Sequence, residues 1–492
     1  MVRLILAAIA VVAAALAGFV GYRTFSFTAP PPPAEASVPD VSGYEIDANA
    51  AAQRFAEALR FRTVSLVEAS EDRTPFVQFQ AWMRERYPAF HAAARRETIG
   101  ELSLLYTWEG SDPGQPPIIL MAHQDVVPVP EDTRANWQVD PFGGVIRDGA
   151  VWGRGAIDDK SSIVAILEAM EYLARSGRRP ARTIYIAFGH DEELGGDNGA
   201  VLIAQTLAER RVRAWFALDE GMAALDSHPL TGRPASMIGV SEKGSASLRI
   251  TALGQPGHSS MPPPQTAVSL VSEAVTRIHR MRIEQRLEGG PALGMMRALA
   301  PELSFTNRMA VSNEWLFAPL LRQRMAGNPA ARALMGTTVA PTMIGGGVRP
   351  NVLPGEATAI VNFRLHPRDT SADILERARR SVADLEGVTV DWAEPPREAS
   401  PISSATSSSY ALIAALSHAI LPDAPVAPGL VLGGTDSRHY VDVAENVYRF
   451  QPMILTSADL EMLHGLNERL SVANLERMIR FYIGLVEAGA MQ

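Results

Sequence analysis

The segment 116–128 has the sequence PPIILMAHQDVVP, in which an apolar run leads directly into His123 and Asp125. A short apolar run bounded by turn residues is typical of a fully buried strand. In an open α/β sheet, ligands bind outside the carboxyl ends of the strands. The segment therefore predicts an α/β fold with a polar site at the end of this strand.

Three further apolar runs also lead into carboxylates. Asp158 follows GAVW at 149–152, Glu192 and Glu193 follow TIYIAF at 183–188, and Asp219 follows AWFAL at 214–218, while MLHGLNE at 462–468 adds His464. Each of these residues alone has an ordinary explanation as a turn, a helix end or a solvated surface. Together, two imidazoles and several carboxylates near strand ends predict a two-metal hydrolytic site.

Composition limits the other functional classes. The chain has 492 residues, a net charge of −9 and no cysteine. The absence of cysteine excludes thiol catalysis and disulfides and leaves histidine and carboxylates as the strong metal ligands. The acidic balance and the lack of a basic cluster with interleaved aromatic residues argue against nucleic acid as a partner.

The metal-type motifs, together with GHSS at 257–260, resemble the co-catalytic zinc peptidase and aminoacylase family. This family includes carboxypeptidase S, aminoacylase, glutamate carboxypeptidase, acetylornithine deacetylase and succinyl-diaminopimelate desuccinylase. The resemblance runs from about Gly43 to the end of the chain. The motifs LDEG, GHSSMPP and HGLNE match best the carboxypeptidase S branch, which also contains a secreted N-fatty-acyl amino acid hydrolase/synthase.

The resemblance implies two zinc ions per subunit, for which cobalt or manganese could substitute. Asp158 would bridge the two ions, with His123 and Asp219 completing one site and Glu193 and His464 completing the other. This pairing is less firmly implied than the set of five ligands.

Two more roles near the metals are implied by the same resemblance. Asp125 would orient His123 through the ring nitrogen that does not bind metal. Glu192 would be the general base, because it directly precedes a ligand without being one. The family also has a cis peptide bond after its bridging aspartate, which here would join Asp158 to Asp159.

The resemblance also implies substrate-binding residues. Asn351 and Arg364 match positions that recognise the carboxylate and backbone of the substrate, and a guanidinium can bind a carboxylate with two hydrogen bonds. In GGTDSR at 433–438, Gly434 and Thr435 would donate hydrogen bonds to the substrate. The alternatives are a surface charge for Arg364 and a plain tight turn for the glycine-rich loop.

Stabilisation of the oxyanion is assigned to a histidine by the same resemblance. His258 would reach the active site of a neighbouring subunit, which requires a homodimer formed through the lid. A structural histidine in a Gly-Ser turn is the alternative, and Arg438 is a second candidate for an oxyanion donor.

Strands and helices alternate through most of the chain. A helix is predicted from near Asp159, with one apolar face and a stop at Gly177. This alternation predicts a mainly parallel sheet flanked by helices. The pattern after residue 243 resembles a ferredoxin-like βαββαβ lid, interrupted by a segment at 283–335 that we interpret as additional helices covering the substrate or an oligomer surface.

The predicted organisation has five segments. They are a membrane anchor or signal segment (1–24), a Pro-rich linker (25–42), the first catalytic segment (43–243), the lid or dimerisation domain (244–396) and the second catalytic segment (397–492). The uncharged run 4–22 would form a helix about 28 Å long, close to the ~30 Å hydrocarbon core. An anchor is therefore favoured over a signal cleaved after Ala17, and either places the catalytic domain on the exported side.

These observations predict a zinc-dependent hydrolase of amide bonds next to a free carboxylate. The expected substrates are short peptides, as for a carboxypeptidase, and the alternative is N-acyl amino acids, as for an N-acyl or N-fatty-acyl amino acid amidohydrolase. An inactive scaffold of the same fold is disfavoured, because all five ligands, Asp125 and Glu192 are present.

Overall fold

A computed structural model describes residues 1–28, 38–65 and 72–491 of the chain. The helices in these ranges are α1 (Val2–Phe25), α2 (Ala48–Leu59), α3 (Thr74–Arg86), α4 (Pro88–Ala93), α5 (Glu131–Arg134), α6 (Lys160–Arg175), α7 (Ala200–Glu209), α8 (Ala267–His279), α9 (Pro291–Leu299), α10 (Phe305–Ser312), α11 (Glu314–Ala326), α12 (Pro329–Met335), α13 (Ser371–Ser381), α14 (Ser408–Ile420), α15 (Ser457–Leu460) and α16 (Val472–Ala490). The strands are β1 (Arg95–Ile99), β2 (Ser103–Trp108), β3 (Ile118–His123), β4 (Val145–Arg147), β5 (Ala150–Trp152), β6 (Ile184–Gly189), β7 (Phe216–Leu225), β8 (Ala235–Glu242), β9 (Gly244–Leu253), β10 (Gly257–His258), β11 (Thr338–Gly346), β12 (Val352–Leu353), β13 (Glu356–Leu365), β14 (Val388–Trp392), β15 (Val426–Val431), β16 (Val447–Leu455) and β17 (Arg469–Ser471). The predicted Pro-rich linker falls largely on residues 29–37, which lie outside the described residues.

The catalytic domain is built on an eight-stranded sheet with the order β1-β2-β6-β3-β7-β16-β8-β15. The central neighbours β6, β3, β7 and β16 run parallel, and β15 runs parallel to β8, while β1 and β2 are antiparallel at one edge. Helices α2, α6 and α16 bury one face of this sheet, and α7 buries the other. The predicted fold class, an α/β sheet flanked by helices with an inserted lid, is confirmed.

Helix α6 shows why the apolar periodicity was informative. The residues of its apolar face, Ile163, Ile166, Leu167, Met170 and Leu173, are completely buried. The helix begins one residue after Asp159, and Gly177 follows its end with φ +71°, a left-handed conformation that glycine adopts without strain. The N-terminal end of α6 is thereby fixed beside the strand ends that carry the metal-type residues.

The strand before Asp158 lies in a different sheet from the one that the sequence analysis predicted. The run GAVW forms β5, which pairs with β4 and β17 in a separate three-stranded sheet and not in the main sheet. A buried three-residue strand has the same composition in either sheet, so composition alone could not decide between them. Asp158 is six residues past β5 and reaches the metal-type cluster through the turn before α6.

The lid is a four-stranded antiparallel sheet with the order β11-β13-β9-β14. Helices α8 and α13 pack on one face of it and form a core of their own with β9 and β13. The element order is the βαββαβ order that the sequence analysis predicted, with β10 and β12 pairing as an additional short ribbon. The exact boundaries of the five predicted segments stay predictions.

The helical insertion, residues 283–335, contains α9 to α12. Its apolar side chains pack on the outer strands of the catalytic sheet, where Met295 and Met296 share a core with Met237 of β8 and Ala427 of β15. The insertion also contacts α1 near the end of that helix. Among the described residues, α1 is the helix long and apolar enough to cross a membrane.

Candidate metal centre

His123 is the last residue of β3, and its imidazole is buried at the carboxyl end of the main sheet. Its Nε2 lies 2.8 Å from Oδ1 of Asp158. The other carboxylate oxygen of Asp158 lies 3.0 Å from Nε2 of His464, which in turn is 3.3 Å from Oε2 of Glu193. Four of the five predicted ligands therefore form one connected chain with Asp158 in its middle.

The backbone around Asp158 is fixed by Glu468, the last residue of HGLNE. The Glu468 carboxylate accepts hydrogen bonds from the backbone amides of Gly155, Ile157 and Asp158, and it forms a buried ion pair with Arg154 at 2.7 Å. The peptide bond between Asp158 and Asp159 is cis, as the family resemblance implied. Sequence reasoning gave Glu468 no role, because its partners lie more than 300 residues away in the chain.

Asp125 connects the two ligand-bearing segments. Its backbone oxygen lies 3.0 Å and its carboxylate 3.3 Å from Nδ1 of His123. The same carboxylate accepts hydrogen bonds from the backbone amides of Glu192 and Glu193. Asp125 therefore sets the orientation of the imidazole and also fixes the backbone of Glu192 and Glu193, the predicted general base and one predicted ligand.

The carboxylate that approaches His123 from β7 belongs to Glu220. Its Oε1 lies 4.0 Å from Nε2 of His123, and His123, Asp158 and Glu220 form one of the two groups that could hold an ion among the described residues. The predicted ligand Asp219 instead accepts a hydrogen bond from the backbone amide of Ser437 at 2.8 Å. Both residues lie inside β7 and not past its end, and successive side chains of a strand point to opposite faces.

The second group combines Asp158, Glu193 and His464. Oε1 of Glu193 is buried and has no hydrogen-bond partner among the described residues. A buried carboxylate oxygen without a partner is costly unless a cation or a donor satisfies it. This oxygen, with imidazole and carboxylate donors around it, fits a divalent transition-metal ion.

The electrostatics of the cluster also fit a cation. Burial raises the pKa of Glu192 well above its usual value, and neighbouring carboxylates add to this rise. Burial and the charge of Asp158 raise the pKa of Glu220 in the same direction. Hydrogen bonds to Asp158 and Glu193 raise the pKa of His464 to about 10. The crevice thus concentrates negative charge that a pair of divalent ions would neutralise.

The glycine-rich loop lies next to this cluster. Ser437, which binds Asp219, belongs to the same loop as Gly434, Thr435 and Arg438. The Arg438 side chain packs against Gly434, so that a larger residue at position 434 would collide with it. The predicted substrate loop is therefore adjacent to the strand that carries Glu220.

Glu242, at the end of β8, is a buried residue that the sequence analysis missed. Its carboxylate binds Arg438 at 2.9 Å and Arg449 at 3.3 Å, and it accepts hydrogen bonds from the amide and hydroxyl of Thr435. Glu242 immediately precedes Lys243 and Gly244, where the chain enters the lid. It therefore holds the substrate loop at the junction of the two domains.

The remaining predicted residues are on the lid and outside both clusters. His258 in β10 is exposed, with Nδ1 2.8 Å from the Ser260 hydroxyl, and the Ser259 amide donates to the backbone oxygen of Asn351. Arg364 is exposed at the end of β13 and makes no ion pair with the described residues. One chain alone therefore does not bring these three side chains to the metal-type cluster.

A family model for peptidase family M20/M25/M40 matches residues 119–488 of the chain. That range includes β3 from its second residue onward, the lid and all five predicted ligands. The chain belongs to peptidase family M20. It is therefore an enzyme of a hydrolase family whose members typically depend on a dinuclear metal centre, and the resemblance given above is confirmed.

Several curated relatives are similar over most of this M20 chain. The Xenopus tropicalis N-fatty-acyl-amino acid synthase/hydrolase PM20D1 is 37% identical and the match covers 87% of this chain and 84% of that protein. The Dictyostelium discoideum probable carboxypeptidase S-like 2 is 36% identical, with 94% and 90% covered. Saccharomyces cerevisiae carboxypeptidase S is 29% identical, with 86% and 81% covered.

Solved structures support the M20 fold. An M20 family metallo-carboxypeptidase from Sulfolobus solfataricus superimposes with a TM-score of 0.64 at 16% identity, covering 90% of this chain and 99% of that one. Human carnosine dipeptidase 1 gives a TM-score of 0.61 at 13% identity, with 89% and 96% covered. At these identities the likeness supports the fold and not the substrate.

Proposed function

We propose that this protein hydrolyses an amide bond next to a free carboxylate, with two metal ions in the cluster at the end of the main sheet. The observation that carries the proposal is the connected chain of His123, Asp158, His464 and Glu193, with Asp158 contacting both imidazoles. A carboxylate that faces two separate sets of ligands suits a bridging role between two ions.

Asp158 would be shared by the two ions. Glu193 and His464 would complete one site, and His123 with Glu220 the other, with Asp219 as the alternative ligand that the family resemblance implies. Zinc suits these nitrogen and carboxylate donors, and cobalt or manganese are plausible substitutes. When bound, such ions supply Lewis-acid activation of the scissile carbonyl and of the attacking water.

Glu192 would act as the general base. Its carboxylate would accept a proton from the attacking water and then deliver that proton to the leaving nitrogen, so that the amine departs neutral. Two features support this role. The backbone of Glu192 is fixed by its hydrogen bond to Asp125, and burial raises its pKa, which suits a group that must both accept and release a proton.

Recognition of the substrate carboxylate is proposed for Arg364 and Asn351 of the lid. The charge of Arg438 is already compensated by the buried Glu242, whereas Arg364 is exposed without an ion pair among the described residues. An arginine with its donors available can bind a carboxylate with two hydrogen bonds. Gly434 would then contact the substrate on the side of the catalytic domain, and Thr435, whose amide and hydroxyl both donate to Glu242, would hold that loop in place.

A homodimer formed through the lid would bring His258 to the active site of the partner subunit. The exposure of His258 and of the edge strand β11, where Met343 and Ile344 are 67% and 62% exposed, supports this proposal. An unpaired strand edge with apolar side chains is a surface that proteins usually cover. His258 would there donate a hydrogen bond to the developing oxyanion.

N-acyl amino acids are the favoured substrate class, because the synthase/hydrolase relatives match this chain at higher identity than yeast carboxypeptidase S. Short peptides, the first expectation from the sequence, become the second candidate, supported by the carboxypeptidase S-like 2 relative at 36% identity. A panel of dipeptides, N-acetyl, N-lauroyl and N-oleoyl amino acids tests this choice, with Glu192→Gln as the control for contaminating hydrolases. Higher kcat/KM on the long acyl chains supports the first class, and higher kcat/KM on dipeptides supports the second.

We further propose that α1 anchors the protein in a membrane with the catalytic domain on the exported side. The support is the apolar surface of α1, of which Val20 and Thr24 are the buried residues. An anchored chain resists extraction by alkaline carbonate and keeps its first residues. A mature chain that starts near Gly18, detected by mass spectrometry, would instead show a cleaved signal.

A further inference from the structure

The end of α1 is packed specifically against the helical insertion. Asn313, between α10 and α11, is buried and donates hydrogen bonds to the backbone oxygen of Val20 and to the hydroxyl of Thr24. Arg23 donates to the backbone oxygen of Ser312. The catalytic domain is therefore joined to the apolar helix by a defined contact in addition to the linker.

Aromatic residues extend this contact on both sides. The rings of Phe19 and Trp315 have centroids 6.1 Å apart, and those of Phe25 and Phe305 are 5.5 Å apart. Arg308 donates to the backbone oxygen of Phe27, which packs on the core of the insertion. The residues of α1 that meet the insertion thus belong to its last two turns and to the residues that follow them.

The outward face of the insertion is apolar where a soluble surface would be polar. Trp315, Leu320 and Phe305 are 52%, 55% and 53% exposed, and Leu316 is exposed beside them. Leu316 and Leu320 are four residues apart on α11, so they lie on one side of that helix. The insertion contains six arginines and four glutamates, a net charge of +2 in a chain whose net charge is −9.

The depth of this face follows from the length of α1. If the uncharged run 4–22 spans the hydrocarbon core, Phe19 lies three residues, or about 4–5 Å, from the outer boundary of that core. Trp315 is in contact with Phe19 and must lie at nearly the same depth. The boundary between hydrocarbon and headgroups is where tryptophan is enriched in membrane proteins, and arginine can extend from there to the headgroups.

We propose that the helical insertion is a second membrane-binding element, whose exposed residues Trp315, Leu316, Leu320 and Phe305 enter the surface of the lipid bilayer around the end of α1. This inference rests on the anchoring proposed above. The occupant is a bilayer and not a second protein, because the face is continuous with a helix of membrane-spanning length and belongs to an insertion with a net charge of +2.

The insertion would also orient the active site relative to the bilayer. Its inner side is fixed on β8 and β15, and its far end is held by Lys243, which donates to the backbone oxygens of Ala333 and Gly336. Lys243 follows Glu242, which binds Thr435 and Arg438 of the substrate loop. A continuous series of contacts therefore connects the proposed bilayer surface to the loop beside the metal-type cluster, which suits substrates that partition into lipid.

The absence of cysteine makes a direct test possible, because each introduced cysteine is a unique labelling site. Single variants Leu316→Cys and Leu320→Cys of the full-length protein are labelled with bimane and reconstituted in phosphatidylcholine vesicles. Val12→Cys reports on the anchor, and Val77→Cys, an exposed apolar position on α3, is the matched control. Each label is exposed in turn to nitroxide-labelled phosphatidylcholine and to aqueous iodide.

The labels at positions 316 and 320 should lose most of their fluorescence to the nitroxide lipid, as the label at position 12 does, and be protected from iodide. The label at position 77 should show the reverse. The proposal would be overturned if iodide quenched the labels at positions 316 and 320 as strongly as the label at position 77. If the nitroxide lipid still quenched the label at position 12 in that case, the anchoring by α1 would stand. The proposal would also be overturned if the labels at positions 316 and 320 were protected from both quenchers and crosslinking detected a dimer, because a second copy would then cover this face.

Discussion

The metal-type cluster and the lid residues proposed to act on the substrate differ in how much of their geometry one chain fixes. His123, Asp125 and Asp158 are held by contacts between buried or partly buried groups, and Glu468 and Asp125 hold the backbone around them. His258 and Arg364 lie exposed on the lid. The proposed metal ligands and general base are therefore arranged by one chain, whereas the proposed oxyanion donor and carboxylate-binding residues would depend on the lid position or on a partner subunit.

Preorganised charge in a water-poor crevice is effective because it needs little reorganisation during the reaction. Groups brought in by a lid can exclude water and select the substrate only after it has bound. The difference between the two regions thus separates the groups that one chain arranges in advance from the groups expected to act only when the lid or a partner subunit brings them to the substrate.

Removal of the metal ions should have the largest effect. Prolonged dialysis against a chelator should abolish activity, and zinc or cobalt should restore it. Because its contacts with Asp158 and Glu193 raise the pKa of His464 to about 10 in the metal-free site, a proton must leave when the metal binds. The metal concentration that restores half-maximal activity should therefore rise as the pH falls from 8 to 6. Activity that survives dialysis with no bound metal would contradict the metal mechanism.

Glu242→Gln tests the buried support of the substrate loop. Removing one partner of a buried ion pair costs about 3–5 kcal/mol, because Arg449 is left buried without its compensating charge. The free energy of unfolding by urea should fall by this amount. Glu376→Gln, which breaks an exposed ion pair with Arg380, is the control and should leave stability nearly unchanged. Equal effects of the two variants would remove the distinction between buried and exposed regions.

His258→Ala tests whether the lid acts on a partner subunit. Loss of one oxyanion donor lowers kcat by about 100-fold to 1000-fold, and metal content should not change. His279→Ala, at an exposed histidine on α8 of the same lid, is the control. Mixing His258→Ala with Glu192→Gln chains should restore part of the activity, since one mixed site combines an intact base with an intact histidine. A fully active monomer would contradict the role in trans.

Glu220→Gln and Asp219→Asn separate the two candidate ligands of β7. Glu220→Gln should weaken metal binding by at least the roughly 10–100-fold that loss of supporting residues around a metal causes. Asp219→Asn keeps an oxygen that can accept the hydrogen bond from Ser437 and should have the smaller effect. Competition with a chromophoric chelator measures both affinities. The opposite ranking would support the ligand that the family resemblance implied.

The fold and most of the cluster could be predicted because their signals are local. The apolar face of α6 has a helical period, His123 is the last residue of the buried strand β3, and Glu193 lies four residues past β6. The sheet to which β5 belongs depends on pairing with β17, which is distant in sequence. Which of Asp219 and Glu220 faces His123 depends on the path of β7, which continues past both residues. Composition does not show where this strand ends.

Supporting residues were missed for the same reason. Glu242 and Glu468 are single acidic residues whose partners are about 200 to 300 residues away. For Glu468 a signal existed, since it ends the HGLNE motif that also contains His464. Glu242 had no comparable signal, because its buried position becomes visible only once β8, the lid junction and the glycine-rich loop come together.

The most direct test of the account is the metal content and turnover of Glu192→Gln, with Glu193→Ala as its neighbour. The account predicts that Glu192→Gln binds as much metal as the unmodified protein and has no measurable turnover, while Glu193→Ala loses metal. Metal analysis of the purified, chelator-free proteins and kcat on the best substrate of the panel provide both values. A Glu192→Gln protein that binds metal fully and retains substantial turnover would contradict the assignment of Glu192 as general base.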